Sequence, residues 1–85
     1  MTLDDYRAEL DRIDKTLEEN FVRRMEVVSK IREYKKEHGL PTLDASREAR
    51  ILELHTKDAP EVLKPYLEDY FRGIMALSRR YQDEK

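Results

Sequence analysis

Eighty-five residues, 42 % of them charged but with a formal net charge of only −2 and no cysteine, set narrow bounds on the chain. A length of that kind makes one domain, 1–85, which buries so little of its surface that it is marginal unless it oligomerises, while the lack of thiols excludes a disulfide framework or thiolate metal site and fits a reducing, cytoplasmic setting. The acidic balance excludes a broad nucleic-acid face, no apolar run approaches the roughly 20 residues of a membrane span, and Met1-Thr2-Leu3-Asp4-Asp5 lacks a cationic-then-apolar signal pattern, so neither secretion nor membrane insertion is expected.

The apolar residues fall at helical spacing. Thr2 with Asp5 forms a capping box, and an apolar seam runs Leu3, Tyr6, Leu10, Ile13, Leu17, Asn20, Arg24, Val27, Ile31, Tyr34 without Gly or Pro until Gly39 and Pro41. This predicts a helix over about 3–38. At ~1.5 Å per residue it is on the order of 54 Å long, longer than a compact domain of this size is wide, so it overhangs its own subunit. The stripe on the overhang calls for a second copy related by a two-fold axis, an entwined homodimer. Asn20, a polar residue on the seam, is suited to fixing the register of that dimer.

After the loop 39–42, Asp44 caps a second helix over about 45–57 with Ile51, Leu52 and Leu54 facing inward. Asp58-Ala59-Pro60 breaks the chain, and Pro65 fits the first turn of a third helix over about 61–83. Its packing stripe reads Leu67, Tyr70, Ile74, Leu77, Tyr81; the neighbouring stripe Phe71, Met75, Ser78, Gln82 turns polar towards its end. The class is all-α, with one very long, one short and one medium helix.

Arg24 occupies a seam position where an aliphatic side chain belongs. An arginine keeps its charge, so on a packed face it needs a counter-ion, an anionic ligand or a route to water. Lys35 lies eleven residues on, three turns plus about 20°, so both cations share nearly one stripe. The opening of the second helix adds Asp44, Arg47 and Glu48; its donors favour anions and its acids accept hydroxyl protons, a combination suited to a hydroxylated acid. Arg7, 17 residues before Arg24, cannot reach the same small pocket within one chain but can across a two-fold.

In order and spacing these residues resemble an all-helical chorismate mutase of the intertwined-dimer type. The likeness covers nearly the whole chain and rests on Arg7 with Leu10-Asp11-Arg12-Ile13-Asp14, on Arg23-Arg24-Met25-Glu26 with Ile31 and Tyr34-Lys35, on Asp44 with Arg47-Glu48, and on Ser78 with Gln82. The resemblance implies the Claisen rearrangement of chorismate to prephenate, with no cofactor or metal. It further implies that Arg24, with Arg7 from the other subunit, binds the two substrate carboxylates and that Arg47 adds positive field. Lys35 and Gln82 would donate to the ether oxygen, Glu48 and Asp44 would hold the ring hydroxyl side, and Ser78 would line the pocket. Arginine clamping would hold a near-attack conformer, and the two donors would stabilise charge growing on the ether oxygen. Arg24, Lys35 and Gln82 are thus the expected catalytic group.

Each residue also has a plainer reading. Arg24 could pair with Glu19 or Glu26, Lys35 could favour a helix carboxyl end, and Asp44 is a good cap whatever the function. Arg47 and Glu48 could decorate a first turn, and Arg7, Ser78 and Gln82 could be ordinary surface groups. Their conjunction at one family's spacings argues for the site. Arg72, Arg79 and Arg80 read as a solvated patch pairing with Glu68, Asp69 and Asp83, and His38 and His55 as helix residues without a ligand-spaced partner. Two other functions fit parts of the pattern: an isochorismate pyruvate lyase, separable by substrate, and a non-catalytic helical dimerisation module, in which an apolar residue at 24 would be stabilising and harmless.

Overall fold

The computed structural model describes residues 1–84; Lys85, the last residue of the expected domain, lies outside them. Helix α1 spans Leu3–Glu37, α2 spans Ala45–Thr56, a single 3-10 turn covers Glu61–Leu63, and α3 spans Lys64–Glu84. No strand occurs among the described residues, so the all-α class and the three helices expected from periodicity are what the chain adopts.

Local chemistry explains the element ends. The Thr2 hydroxyl accepts from the Asp5 amide at 3.2 Å and the Asp5 carboxylate accepts from the Thr2 amide at 2.8 Å, satisfying two donors that the first turn of α1 leaves open. At the other end Gly39, at φ 64°, takes the left-handed conformation that a Cβ would disfavour. Its amide donates to Lys36 O and that of Leu40 to Lys35 O, the paired bonds of a Schellman stop. Asp44 caps α2 by accepting from the Arg47 amide at 3.0 Å. The third helix begins at Lys64 rather than near 61. Pro65 has no N–H to give to Glu61 O, so an α-ladder cannot run through it, and the approach tightens into the 3-10 turn instead.

Both α1 and α2 pack on α3, and not on each other. The molecule measures 54 × 26 × 16 Å, its long dimension set by α1. Val28 and Met75 are the buried apolar residues, at 7 % and 4 % exposure, joined by the polar Ser78 and Thr56. This corrects the expected faces in three places. On α1, α3 approaches the flank carrying Arg24, Val28, Ile31 and Lys35, leaving the seam residue Val27 53 % exposed. On α3 the stripe that turns polar packs inward through Met75 and Ser78, while Tyr70 and Leu77 of the other stripe are exposed. On α2, Leu54 is exposed and Thr56 is buried, its hydroxyl bonded back to Leu52 O at 2.6 Å. The cause is common to all three: one chain covers only one flank of each amphipathic face.

Every residue from 1 to 23 is exposed. Leu3, Tyr6, Leu10, Ile13 and Leu17 stand between 44 and 62 % exposed along one side of α1. Among the described residues no helix is long and apolar enough to cross a membrane.

Candidate active site

A cavity of about 320 Å³ opens where the second half of α1, the start of α2 and the end of α3 converge. Its apolar floor is Val28, Ile31, Ile51 and Met75. Its polar wall draws Arg24 and Lys35 from α1, Asp44, Arg47 and Glu48 from the start of α2, and Ser78, Arg79 and Gln82 from α3. A few convergent polar groups over an apolar base is the usual make-up of a small-molecule site.

The helical repeat explains this gathering. Positions 24, 28, 31 and 35 lie on one stripe of α1, and positions 75, 78 and 82 on one stripe of α3. Successive polar residues of α3 then take partners from different elements. Ser78 accepts a short hydrogen bond from Arg24 Nη1 and donates to Ile74 O at 2.9 Å. Arg79 turns to α2, its Nη1 2.5 Å from both carboxylate oxygens of Glu48. Gln82 Oε1 accepts from Lys35 Nζ at 3.4 Å, and its Nε2 donates to Ser78 O at 3.3 Å. The Lys35 ammonium also donates to Thr42 O at 2.7 Å, and the Thr42 hydroxyl donates to Asp83 Oδ1 at 2.9 Å, so the α1–α2 loop is tied across the cavity mouth to the end of α3.

Seven of the eight residues expected in the site therefore line one cavity: Arg24, Lys35, Asp44, Arg47, Glu48, Ser78 and Gln82. Arg7 does not. It lies exposed on the overhang, 3.9 Å from Asp4, and at ~1.5 Å per residue roughly 25 Å along the helix from Arg24. Neither Glu19 nor Glu26 serves Arg24, whose partner is the Ser78 hydroxyl.

Arg79 corrects the reading of the late arginines. Arg72 pairs with Glu68 and Asp69, and Arg80 with Glu84, along their own helix. Arg79 instead crosses to Glu48 and enters the cavity wall. The signal was present in the spacing, since Arg79 lies about 100° from Ser78 and 60° from Gln82 on the helix wheel, on the side where both point. An RR pair in a charged carboxyl-terminal stretch masked it.

Charge is distributed unevenly. The cavity holds four cations, Arg24, Lys35, Arg47 and Arg79, against the carboxylates of Asp44 and Glu48, a surplus of two positive charges in a chain whose net charge is −2. Burial, and then the charge of Arg47, push the Arg24 pKa down, so its guanidinium sits in a positive, partly dehydrated field. Among the described residues none of Arg24, Lys35 or Arg47 has a carboxylate within ion-pair distance. Asp44 has its pKa lowered, mainly by the hydrogen bond from the Arg47 amide, then by the Ser46 hydroxyl and by Lys35. Cations without carboxylate partners suit an anionic ligand, and the acids beside them can accept from a hydroxyl.

The family model described as Chorismate mutase type II matches residues 6–83. The chain is 33 % identical over 75 residues to the T-protein of Haemophilus influenzae, an alignment covering 86 % of this chain and 20 % of that protein. It is 32 % identical over 81 residues to the T-protein of Enterobacter agglomerans, covering 93 % and 22 % respectively. The chain thus spans about a fifth of the length of the curated relatives it matches.

Proposed function

Because the chain belongs to the chorismate mutase type II family, we propose that it catalyses the Claisen rearrangement of chorismate to prephenate, a step of aromatic amino acid biosynthesis. The carrying observation is the surplus of two positive charges on the cavity wall, held by cations without carboxylate partners. Chorismate brings two carboxylates, a ring hydroxyl and an ether oxygen. Arg24 and Arg47 suit the carboxylates, Asp44 and Glu48 suit the hydroxyl, and Lys35 suits the ether oxygen.

The reaction is unimolecular and needs no nucleophile or proton transfer. What the site supplies is geometry and field. Clamping both carboxylates folds the enolpyruvyl arm over the ring, so the entropic cost of reaching a near-attack conformer is met on binding. As the ether bond breaks, negative charge grows on its oxygen. Lys35, already positioned by Thr42 O, then exchanges the Gln82 carbonyl for that oxygen. The freed Gln82 amide turns its Nε2 from Ser78 O to become the second donor. Ser78 holds the Arg24 guanidinium towards the cavity.

The active species in this reading is a homodimer in the cytoplasm, in which residues 1–85 form one catalytic domain and the partner's overhang covers the apolar stripe of α1 and delivers its Arg7 to the cavity. Two observations support it: the exposed run from Leu3 to Leu17, and the position of Arg7, too far along the helix to serve its own chain's site.

The test is the loss of chorismate absorbance on adding purified protein, with the product identified and a Lys35→Ala variant run alongside. Conversion to prephenate, lowered on the order of 100 to 1000-fold by the substitution, is the expected result. No turnover by the folded protein overturns it, and pyruvate released from isochorismate would assign the lyase reaction instead.

A further inference from the structure

We propose that Arg79 is a positioning residue for this reaction, neutralising and orienting Glu48 so that a carboxylate can face a dianionic substrate without repelling it. The inference rests on the mutase reading of the cavity.

Glu48 presents a problem in that reading. A free carboxylate in the wall would oppose binding of a substrate with two carboxylates, because like charges in a partly dehydrated cavity repel more strongly than in water. The Arg79 guanidinium removes the conflict. Its Nη1 sits 2.5 Å from both Glu48 oxygens, and the two side chains are 34 % and 25 % exposed, more sheltered than the helix-surface pairs of Arg7, Arg72 and Arg80. A carboxylate offers about four lone-pair directions, so this contact leaves acceptors facing the cavity for a substrate hydroxyl. The pair also fixes the carboxylate plane, which a long glutamate side chain cannot do alone.

Arg79 reaches Glu48 from α3, next to Ser78 and three residues before Gln82, so one turn of α3 sets the orientation of Arg24, Glu48 and Lys35 together. Arg79 touches Glu48 rather than the reacting atoms, and its effect should pass through that carboxylate.

A double-mutant cycle in the full-length protein, with Arg79→Gln, Glu48→Gln and the pair, tests this. Arg79→Gln alone should raise the KM for chorismate on the order of ten-fold, with a smaller change in kcat. In the Glu48→Gln background, where no charge needs neutralising, it should change KM less than two-fold. Arg79→Lys should restore part of the loss. An equal penalty in both backgrounds overturns the proposal: accompanied by a matching fall in Tm it makes the pair a staple between α2 and α3, and without one it makes Arg79 a direct substrate ligand. Parent protein that binds chorismate without converting it would sink the mutase reading alone. The cycle is then read from calorimetric chorismate titrations with the same expected pattern, and a parent that neither binds nor converts overturns both.

Discussion

Arg24 is held where a packed protein would ordinarily place an aliphatic side chain, beside a second arginine and with one serine hydroxyl as its partner. Stability does not call for this, since buried charge is often replaced by apolar volume at no loss. Arg24→Met should therefore leave Tm unchanged or a few degrees higher, while kcat/KM falls about 100-fold or more. A dimerisation module would show the first effect without the second. Gln82 gives a prediction in pH. A neutral amide donates at any pH, so activity should persist through neutral and mildly basic conditions. In Gln82→Glu only the protonated acid donates, so its rate should fall as pH rises through the new carboxyl's pKa, ordinarily about 4.3. A pH profile of kcat for both proteins checks this. The positions of Arg24 and Lys35 on one stripe could be read from helical spacing alone. The side of α3 on which Arg79 lies could be read the same way, but its partner could not, because Glu48 is 31 residues away on a different helix and only packing brings them together.

The elements begin and end where short-range chemistry dictates, which is why their extents are so legible. Thr2 with Asp5, Gly39 and Asp44 act through hydrogen bonds spanning five residues or fewer. The start of α3 was less so, since the effect of Pro65 depends on whether the preceding segment is already helical. Asp44 carries a pH consequence. Its folded pKa is depressed, chiefly by the Arg47 amide, so the stability its cap contributes is fully present above the unfolded value of about 3.9 and is lost as pH falls through the lower folded value. Asp44→Asn keeps a neutral cap and loses that dependence. Circular dichroism melts from pH 6 down to 2 should show a smaller acid-induced drop in Tm for the variant than for the parent.

On the scale of the whole molecule, one chain leaves its own work unfinished: among the described residues no large side chain is fully buried, and a run of five apolar residues on α1 stays open. Assembly of two copies is the expected remedy, and mixing variants tests it. Arg7→Ala and Lys35→Ala proteins should each be nearly inactive. Co-refolded, they should recover up to about a quarter of parental activity, because half the dimers are mixed and each mixed dimer has one site with both residues intact. Recovery absent from a preparation shown to contain mixed dimers would place Arg7 outside the site. The sequence by itself determined the helical class, the near extents of the elements and the seam, because each follows from contacts or periodicity within a helix, and its resemblance to a known family pointed to seven of the residues that line the cavity. Only the tertiary structure decided which flank of each amphipathic helix packs, with Val28 in and Val27 out, and that Arg79 closes on Glu48. A periodic pattern says that a face is apolar; which helix covers it, and how far round, depends on the simultaneous packing of all the elements.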